Sequence, residues 1–320
     1  MSSPHRSVGV VLPCDLPADA VLPFARRADG LGFDSVWVVE DLGHRGGVAQ
    51  AAVVLASTSR IRVGIGLLPA GSRNVAFAAM EIATLAQLFP GRLDVAVGHG
   101  MPAWMRGAGA WPASPLTLLE EYVTAVRQLV RGGRVRDDGR YVRLDGVRLE
   151  PSALPSPAPD VLAGVRGPKS LAVSGRVADG TVLAEPAAPA YVREAVGHIA
   201  PRRPHRVVAY NVACVDEDPR AALAAARPAL EWVGEPDWRA QVAALPFGDE
   251  LAGLRARCAS RAEFARRMPD AWVAELAVAG TREQARARIA ALREAGVTDA
   301  VLIPAGKDPS AALDSLATVL

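Results

Sequence analysis

Phe33-Asp34-Ser35-Val36-Trp37-Val38-Val39, followed at once by Glu40 and Asp41, is a short and mostly apolar run that ends on two carboxylates. Runs of the same kind recur on both sides of it: Val8 to Leu12, Ile61 to Leu67, Leu93 to Val97, Val161 to Ala163, Thr181 to Leu183, Val207 to Val212 and Ala300 to Ile303. Stretches of helical periodicity separate most of them. That rhythm predicts an α/β protein built as a (β/α)8 TIM barrel, in which every parallel strand delivers its following loop to one mouth. No linker divides the chain, so residues 1–320 read as a single barrel domain, a size such barrels commonly reach.

Half of the 320 residues are hydrophobic and the formal charge is only +2. There is ample core and no strongly basic field, which argues against nucleic acid as a partner and for a small-molecule site. Cys14, Cys214 and Cys258 are far apart and show no Cys-x-x-Cys spacing, so neither a disulfide framework nor a metal site is indicated. Pro13 closes the first apolar run before a signal-peptide core can form, and no run is long enough to span a membrane. A reduced, cytoplasmic protein is the expectation.

Between the strands, Asp19, Asn74 and the pair Thr281 and Gln284 mark helix starts. Leu119, Tyr122, Val123, Val126 and Val130 recur at helical spacing, and Val135 to Leu144 alternates around Asp138-Gly139 as a hairpin decoration. Residues 216–275 look helical and exceed one connecting helix, so they read as an insertion before the last βα unit. Pro309 to Leu320 reads as a closing helix.

Three places carry chemistry. Gly164-Val165-Arg166-Gly167-Pro168-Lys169-Ser170 joins a strand to a helix, with Pro168 placed for the first turn and backbone N–H groups free to face an anion. Arg166 and Lys169 would add charge; the alternative is an ordinary solvated turn. It is not a Walker loop, which requires glycine directly before the lysine. Gly98-His99-Gly100, with Ala103, satisfies the loose dinucleotide fingerprint, but it follows the fourth strand and runs into a Gly- and Pro-rich loop where that fold would begin a helix. Two glycines inside the third strand, Gly64 and Gly66, indicate either a bulge or small inward residues. Glu40, Asp41, His44, His99 and Glu185 lie just beyond strand ends and are the candidate acids. The basic run Pro201 to Arg206 precedes a strand on the side away from the mouth and reads as a solvated loop.

Taken in order, Leu31-Gly32-Phe33-Asp34-Ser35-Val36-Trp37, Ile82-Ala83-Thr84-Leu85 with Gly91-Arg92, Asp138-Gly139-Arg140-Tyr141, and Gly167-Pro168-Lys169-Ser170 with Val177-Ala178-Asp179-Gly180 resemble the bacterial luciferase-like family, and within it the branch that uses the deazaflavin coenzyme F420. The resemblance implies a barrel that lays a deazaflavin or flavin ring across its mouth, backed by a bulge with a non-proline cis peptide at Gly66-Leu67. It implies that Gly98 and Gly100 admit the ring with His99 at its edge, and that the loop Gly164 to Ser170 takes the cofactor phosphate. Arg73 also matches a family position, for the cofactor or for pairing with a carboxylate.

Two departures stand out. Met101 occupies the place of an acidic residue common in that branch, and Asp41 the place of a histidine. The expected activity is hydride exchange between coenzyme F420 and a small organic substrate, with Asp41 or His99 supplying the proton and Glu40 and His44 as further candidates. The alternatives are an FMN-dependent monooxygenase on the same scaffold and a barrel that has lost catalysis and only binds a flavin or a partner. A homodimer is expected.

Overall fold

The computed structural model describes residues 7–320. In chain order its strands are β1 (Ser7–Val11), β2 (Ser35–Val38), β3 (Arg62–Pro69), β4 (Leu93–Gly98), β5 (Val135–Asp138), β6 (Arg143–Val147), β7 (Val161–Gly164), β8 (Gly180–Leu183), β9 (Arg206–Val215), β10 (Val278–Gly280) and β11 (Asp299–Pro304). Eight of them form a closed parallel ring, β1-β2-β3-β4-β7-β8-β9-β11, with β11 pairing back onto β1. Each of the eight apolar runs in the sequence is one of these strands, because a strand covered on both faces needs apolar residues without interruption.

Val11, Trp37, Ala96, Leu162, Val182, Val208, Tyr210 and Val301 fill the barrel interior, while a larger core lies between the strands and the surrounding helices. Trp37 is fully buried and its indole donates to Ser35 Oγ at 3.0 Å. A Cβ on Gly64 would overlap the Trp37 ring, so that glycine is what lets a tryptophan lie in the barrel. At the end away from the mouth, Arg206 ion-pairs with Asp94 at 2.7 Å, Asp299 at 2.9 Å and Asp160 at 3.2 Å, and Arg62 joins Asp94. The basic run before β9 is therefore not simply solvated. Arg203 also donates to the Ala178 carbonyl at 2.9 Å, so two of its arginines close the barrel floor.

The hairpin β5–β6 is antiparallel and stands outside the barrel. Its turn is fixed to the helix Pro115–Leu129, where Glu121 accepts from the N–H groups of Arg140, Tyr141 and Val142 at 2.8–2.9 Å. Asn74 caps the helix Val75–Leu88, and Thr281 with Gln284 forms a complete capping box. Asp19 does not cap. It lies inside a short 3-10 turn, Ala18–Ala20, after Pro17, and the helix Val21–Leu31 starts without a side-chain cap. A six-residue helix, Pro102–Gly107, also occupies part of what reads in sequence as a loop after β4, with Pro102 suited to its first position.

The insertion leaves β9 and returns on β10, which pairs in parallel with Ala213 to Val215. Its helices enclose a core of their own, including Leu230, Val233, Trp238, Leu251, Phe264 and Val273, against which Met101 and Ala188 from the barrel loops pack.

Candidate active site at the barrel mouth

Parallel strands place the residues after β2, β3, β4, β7 and β8 at one end of the barrel. The third strand is bulged there. Its register against β4 shifts between Ile65 and Leu68, and the Gly66–Leu67 peptide is cis. The Leu67 side chain lies across the ends of β4 and β7. A Cβ on Gly98 would come within 2.5 Å of both Leu67 Cδ2 and the Gly164 carbonyl, and one on Gly164 within 2.5 Å of the same methyl.

Gly98 and Gly164 thus leave the space that the half-buried Leu67 side chain fills, a packing reason for both glycines beside the roles expected of them in holding the ring and the phosphate. Gly100 has φ +71, a left-handed conformation that glycine adopts without penalty, and a Cβ there would press on Met105 and Pro69. Its role is to turn the chain into the helix Pro102–Gly107. Beneath the bulge lies Tyr210, whose hydroxyl touches Gly66; the residue is 5% exposed and the hydroxyl has no hydrogen-bond partner.

His99 stands beside this surface. Its Nε2 lies 2.9 Å from Ser170 Oγ, linking the β4 loop to the first turn of the helix Pro168–Val177. Burial pushes the imidazole below its ordinary pKa, so it is neutral at pH 7 and suited to hydrogen bonding rather than to donating a proton. Gly167 is the N-cap of that helix and offers no side chain, Pro168 has no N–H, and the amides of Lys169 and Ser170 precede the first intrahelical bond, which Leu171 donates to the Gly167 carbonyl at 2.9 Å. Lys169 is exposed beside them. Arg166 is held by the insertion: its guanidinium lies 4.9 Å over Trp238 and Nη1 donates to the Asp237 carbonyl at 3.1 Å.

The acidic candidates separate clearly. Glu40 forms a two-pronged pair with Arg73, at 2.7 and 2.8 Å, and also accepts the Gly47 N–H at 2.8 Å. Both oxygens are engaged in bracing the β2 loop against the β3 loop, so Glu40 is a rim brace rather than the reacting acid, and Arg73 takes the carboxylate-pairing role. His44 is exposed. The Asp41 carbonyl accepts from the His44 N–H at 2.9 Å, but its carboxylate makes no hydrogen bond or ion pair among the described residues, and burial raises its pKa against the opposing pull of His44. Glu185 is raised in the same way by burial, with Arg166 pulling it down and Asp41 adding to the rise. In the ring of eight strands β2 and β8 are four places apart, so the loops carrying Asp41 and Glu185 face each other across the mouth.

Tyr210 and the contacts of Trp238 escaped the sequence reading. A tyrosine alternating with inward valines, Val208-Ala209-Tyr210-Asn211-Val212, was the available signal for the first. The second depends on contacts with Arg166 and Glu185, far back along the chain, and has no local signature.

An eightfold parallel barrel with a bulged third strand, a cis peptide at the bulge and a helix start beside it defines the class. Over residues 3–299 the sequence matches the family described as luciferase-like monooxygenase, and the chain belongs to that family. It is 29% identical over 301 residues to the 5,10-methylenetetrahydromethanopterin reductase of Methanolobus tindarius, covering 89% of this chain and 91% of that one. Among solved structures, the coenzyme F420 dependent tetrahydromethanopterin reductase of Methanopyrus kandleri superposes with a TM-score of 0.83 at 21% identity, over 98% of this chain and 97% of the other. An F420-dependent secondary alcohol dehydrogenase in complex with an F420-acetone adduct gives 0.76 at 23% identity, over 99% and 98%. These likenesses establish the barrel independently of the strand pattern.

Proposed function

We propose that this chain is an oxidoreductase that seats coenzyme F420 at the barrel mouth and exchanges hydride with a small organic substrate. The observation that carries the reading is the placement of two surfaces on the strands that flank β4, at the same end of the barrel. The Leu67 platform of β3 lies over the ends of β4 and β7, and the open helix start after β7 lies beside it. A flat tricyclic head and an anionic tail would meet complementary surfaces at the same end of the molecule. The reductase and dehydrogenase relatives named above support the deazaflavin over FMN.

The residues fit such a group. When bound, it supplies the hydride acceptor or donor. The chain supplies orientation and protons: Leu67 the apolar support, the helix amides with Lys169, Ser170 and Arg166 the anion contacts, neutral His99 a fixed hydrogen bond at the edge. Asp41, unpaired and held protonated further up the pH scale by burial, is the proton donor for a reduced product. That assignment also disfavours the reading of a barrel without catalysis, since an acid is present despite Met101 and the absent histidine. The family description keeps an FMN-dependent monooxygenase as the second reading.

We further propose a cytoplasmic homodimer. Phe77, Met80 and Leu88 of one helix and Val53 of the helix before it are 49–65% exposed, an apolar face suited to a second copy. No helix among the described residues is long and apolar enough to cross a membrane.

Titration of the purified protein with oxidised and reduced F420 and FMN, followed by absorbance and fluorescence, tests the reading. Tight binding of F420 with reduction of an added acceptor is expected. Preference for FMN with oxygen consumption would transfer the assignment to the monooxygenase, and affinity for neither would remove both.

A further inference from the structure

The segment of the insertion from residue 236 to residue 242 reaches into the mouth and holds two loops at once. Trp238 is 8% exposed; its indole N–H donates to the Glu185 carbonyl at 3.1 Å, and Gln241 Nε2 donates to the carbonyls of Ala184 and Glu185 at 2.9 and 2.8 Å. The other side of the same contact is Arg166, stacked at 4.9 Å over the Trp238 ring and anchored to the Asp237 carbonyl. The Arg166 carbonyl in turn accepts from the Tyr191 hydroxyl at 2.9 Å.

Stacking uses the flat face of a guanidinium and leaves its edge. Of the five N–H donors of an arginine, the Asp237 carbonyl takes one, so the rest of the fork stays available for a phosphate oxygen pair. A long, rotatable side chain that is already fixed loses less freedom when it binds an anion.

We infer that Trp238 is a positioning residue that presets the Arg166 fork for the anionic tail of the cofactor while holding the Glu185 loop at the opposite side of the same indole. The insertion thereby sets tail affinity and the placement of the acidic loop together. This rests on the deazaflavin reading above.

The test compares coenzyme F420 with its deazariboflavin fragment, which ends at the ribityl chain and lacks the phosphate, in equilibrium titrations of wild-type protein and of Trp238→Leu, Trp238→Phe, Arg166→Ala and the double variant Arg166→Ala/Trp238→Leu. Thermal melting by circular dichroism reports whether each remains folded. Trp238→Leu should weaken F420 binding by about five- to tenfold, the scale of one partly desolvated cation–π contact, with the fragment changed by less than about twofold. Trp238→Phe keeps the aromatic face and should hold F420 affinity within about threefold while lowering kcat, since the Glu185 carbonyl loses a donor. The double variant should bind F420 no more weakly than Arg166→Ala alone.

Equal loss for both ligands in Trp238→Leu, or additive losses in the double variant, overturns the inference while leaving the deazaflavin seat standing. Wild-type protein that binds F420 and the fragment equally, with no effect of Arg166→Ala, removes the tail site itself and the inference with it.

Discussion

A single methyl group added at Gly66 should test whether the platform is packed from below as tightly as the structure describes. In Gly66→Ala the new Cβ would collide with the Tyr210 hydroxyl and come 3.0 Å from Trp37 Cε3 and 3.2 Å from Tyr210 Cζ. Trp37 and Tyr210 are 0% and 5% exposed and meet edge to face at 5.6 Å, so neither ring has room to withdraw. Forcing one carbon into such a core costs about 1–3 kcal/mol. Tyr210→Phe removes a buried hydroxyl that has no partner, and because an unsatisfied buried polar group costs about 1–3 kcal/mol, this change should be neutral or stabilising. Combined, the two substitutions leave only the ring-carbon contacts, which a shift of a few tenths of an ångström relieves. The double variant should therefore be more stable than the sum of the singles by about 1 kcal/mol or more, measured by urea unfolding followed by circular dichroism. Additivity within about 0.4 kcal/mol would refute the reasoning, since it would mean that the hydroxyl does not occupy the space beneath Gly66. F420 titration of the same four proteins should show Gly66→Ala weakened and the double variant partly restored.

Arg73→Ala would leave Glu40, 15% exposed, with only the Gly47 N–H, and should lower stability by about 2 kcal/mol; Arg73→Lys, which keeps charge but not the fork, should recover part of it in the same urea assay. His205 is pushed down to about 4 by burial and then by Arg203, from an ordinary 6.5. The unfolded chain therefore takes up a proton that the folded chain refuses. Its contribution is present above pH 6.5 and is lost as pH falls toward 4, and His205→Gln should flatten that limb of the stability profile measured by urea unfolding. For Asp41, turnover in the direction that protonates product should decline as pH rises through the raised pKa. Asp41→Asn should lose about a hundredfold and abolish that limb; an unchanged profile would move the proton donor to Glu185, tested with Glu185→Gln.

All eight barrel strands were legible because a parallel strand covered on both faces must be written in nearly uninterrupted apolar residues, and the hairpin because Asp138-Gly139 marks its turn. The bulge position was legible only through family resemblance. Local chemistry at Gly66-Leu67 allows a small inward residue equally well, and what distinguishes the two is Leu67 lying over Gly98 and Gly164, positions far along the chain. Arg92, part of a matching motif, donates to the carbonyls of Ile61 and Thr58 and so joins strand ends rather than serving the mouth. The sequence favours Asp41 over Glu40, but that Glu40 is the one engaged was not readable from local chemistry. Glu40 and Asp41 are neighbours of similar chemistry, and only the location of Arg73 in space commits one and spares the other. The short strand β10 was missed because three residues carry no period.

Strand β9 runs past the rim of the ring: its first residues pair with β8, its middle with β11, and its last three with β10. The polypeptide therefore departs into the insertion and comes home from it on adjoining rungs of one ladder, like a bracket bolted at both feet to the same rail. A module mounted in that way can be exchanged between its two feet without cutting a rung of the ring, but the span from Asp216 to Ala277 carries Asp237, Trp238 and Gln241, so a transplant between relatives has to bring matching partners for Arg166 and the Glu185 loop with it.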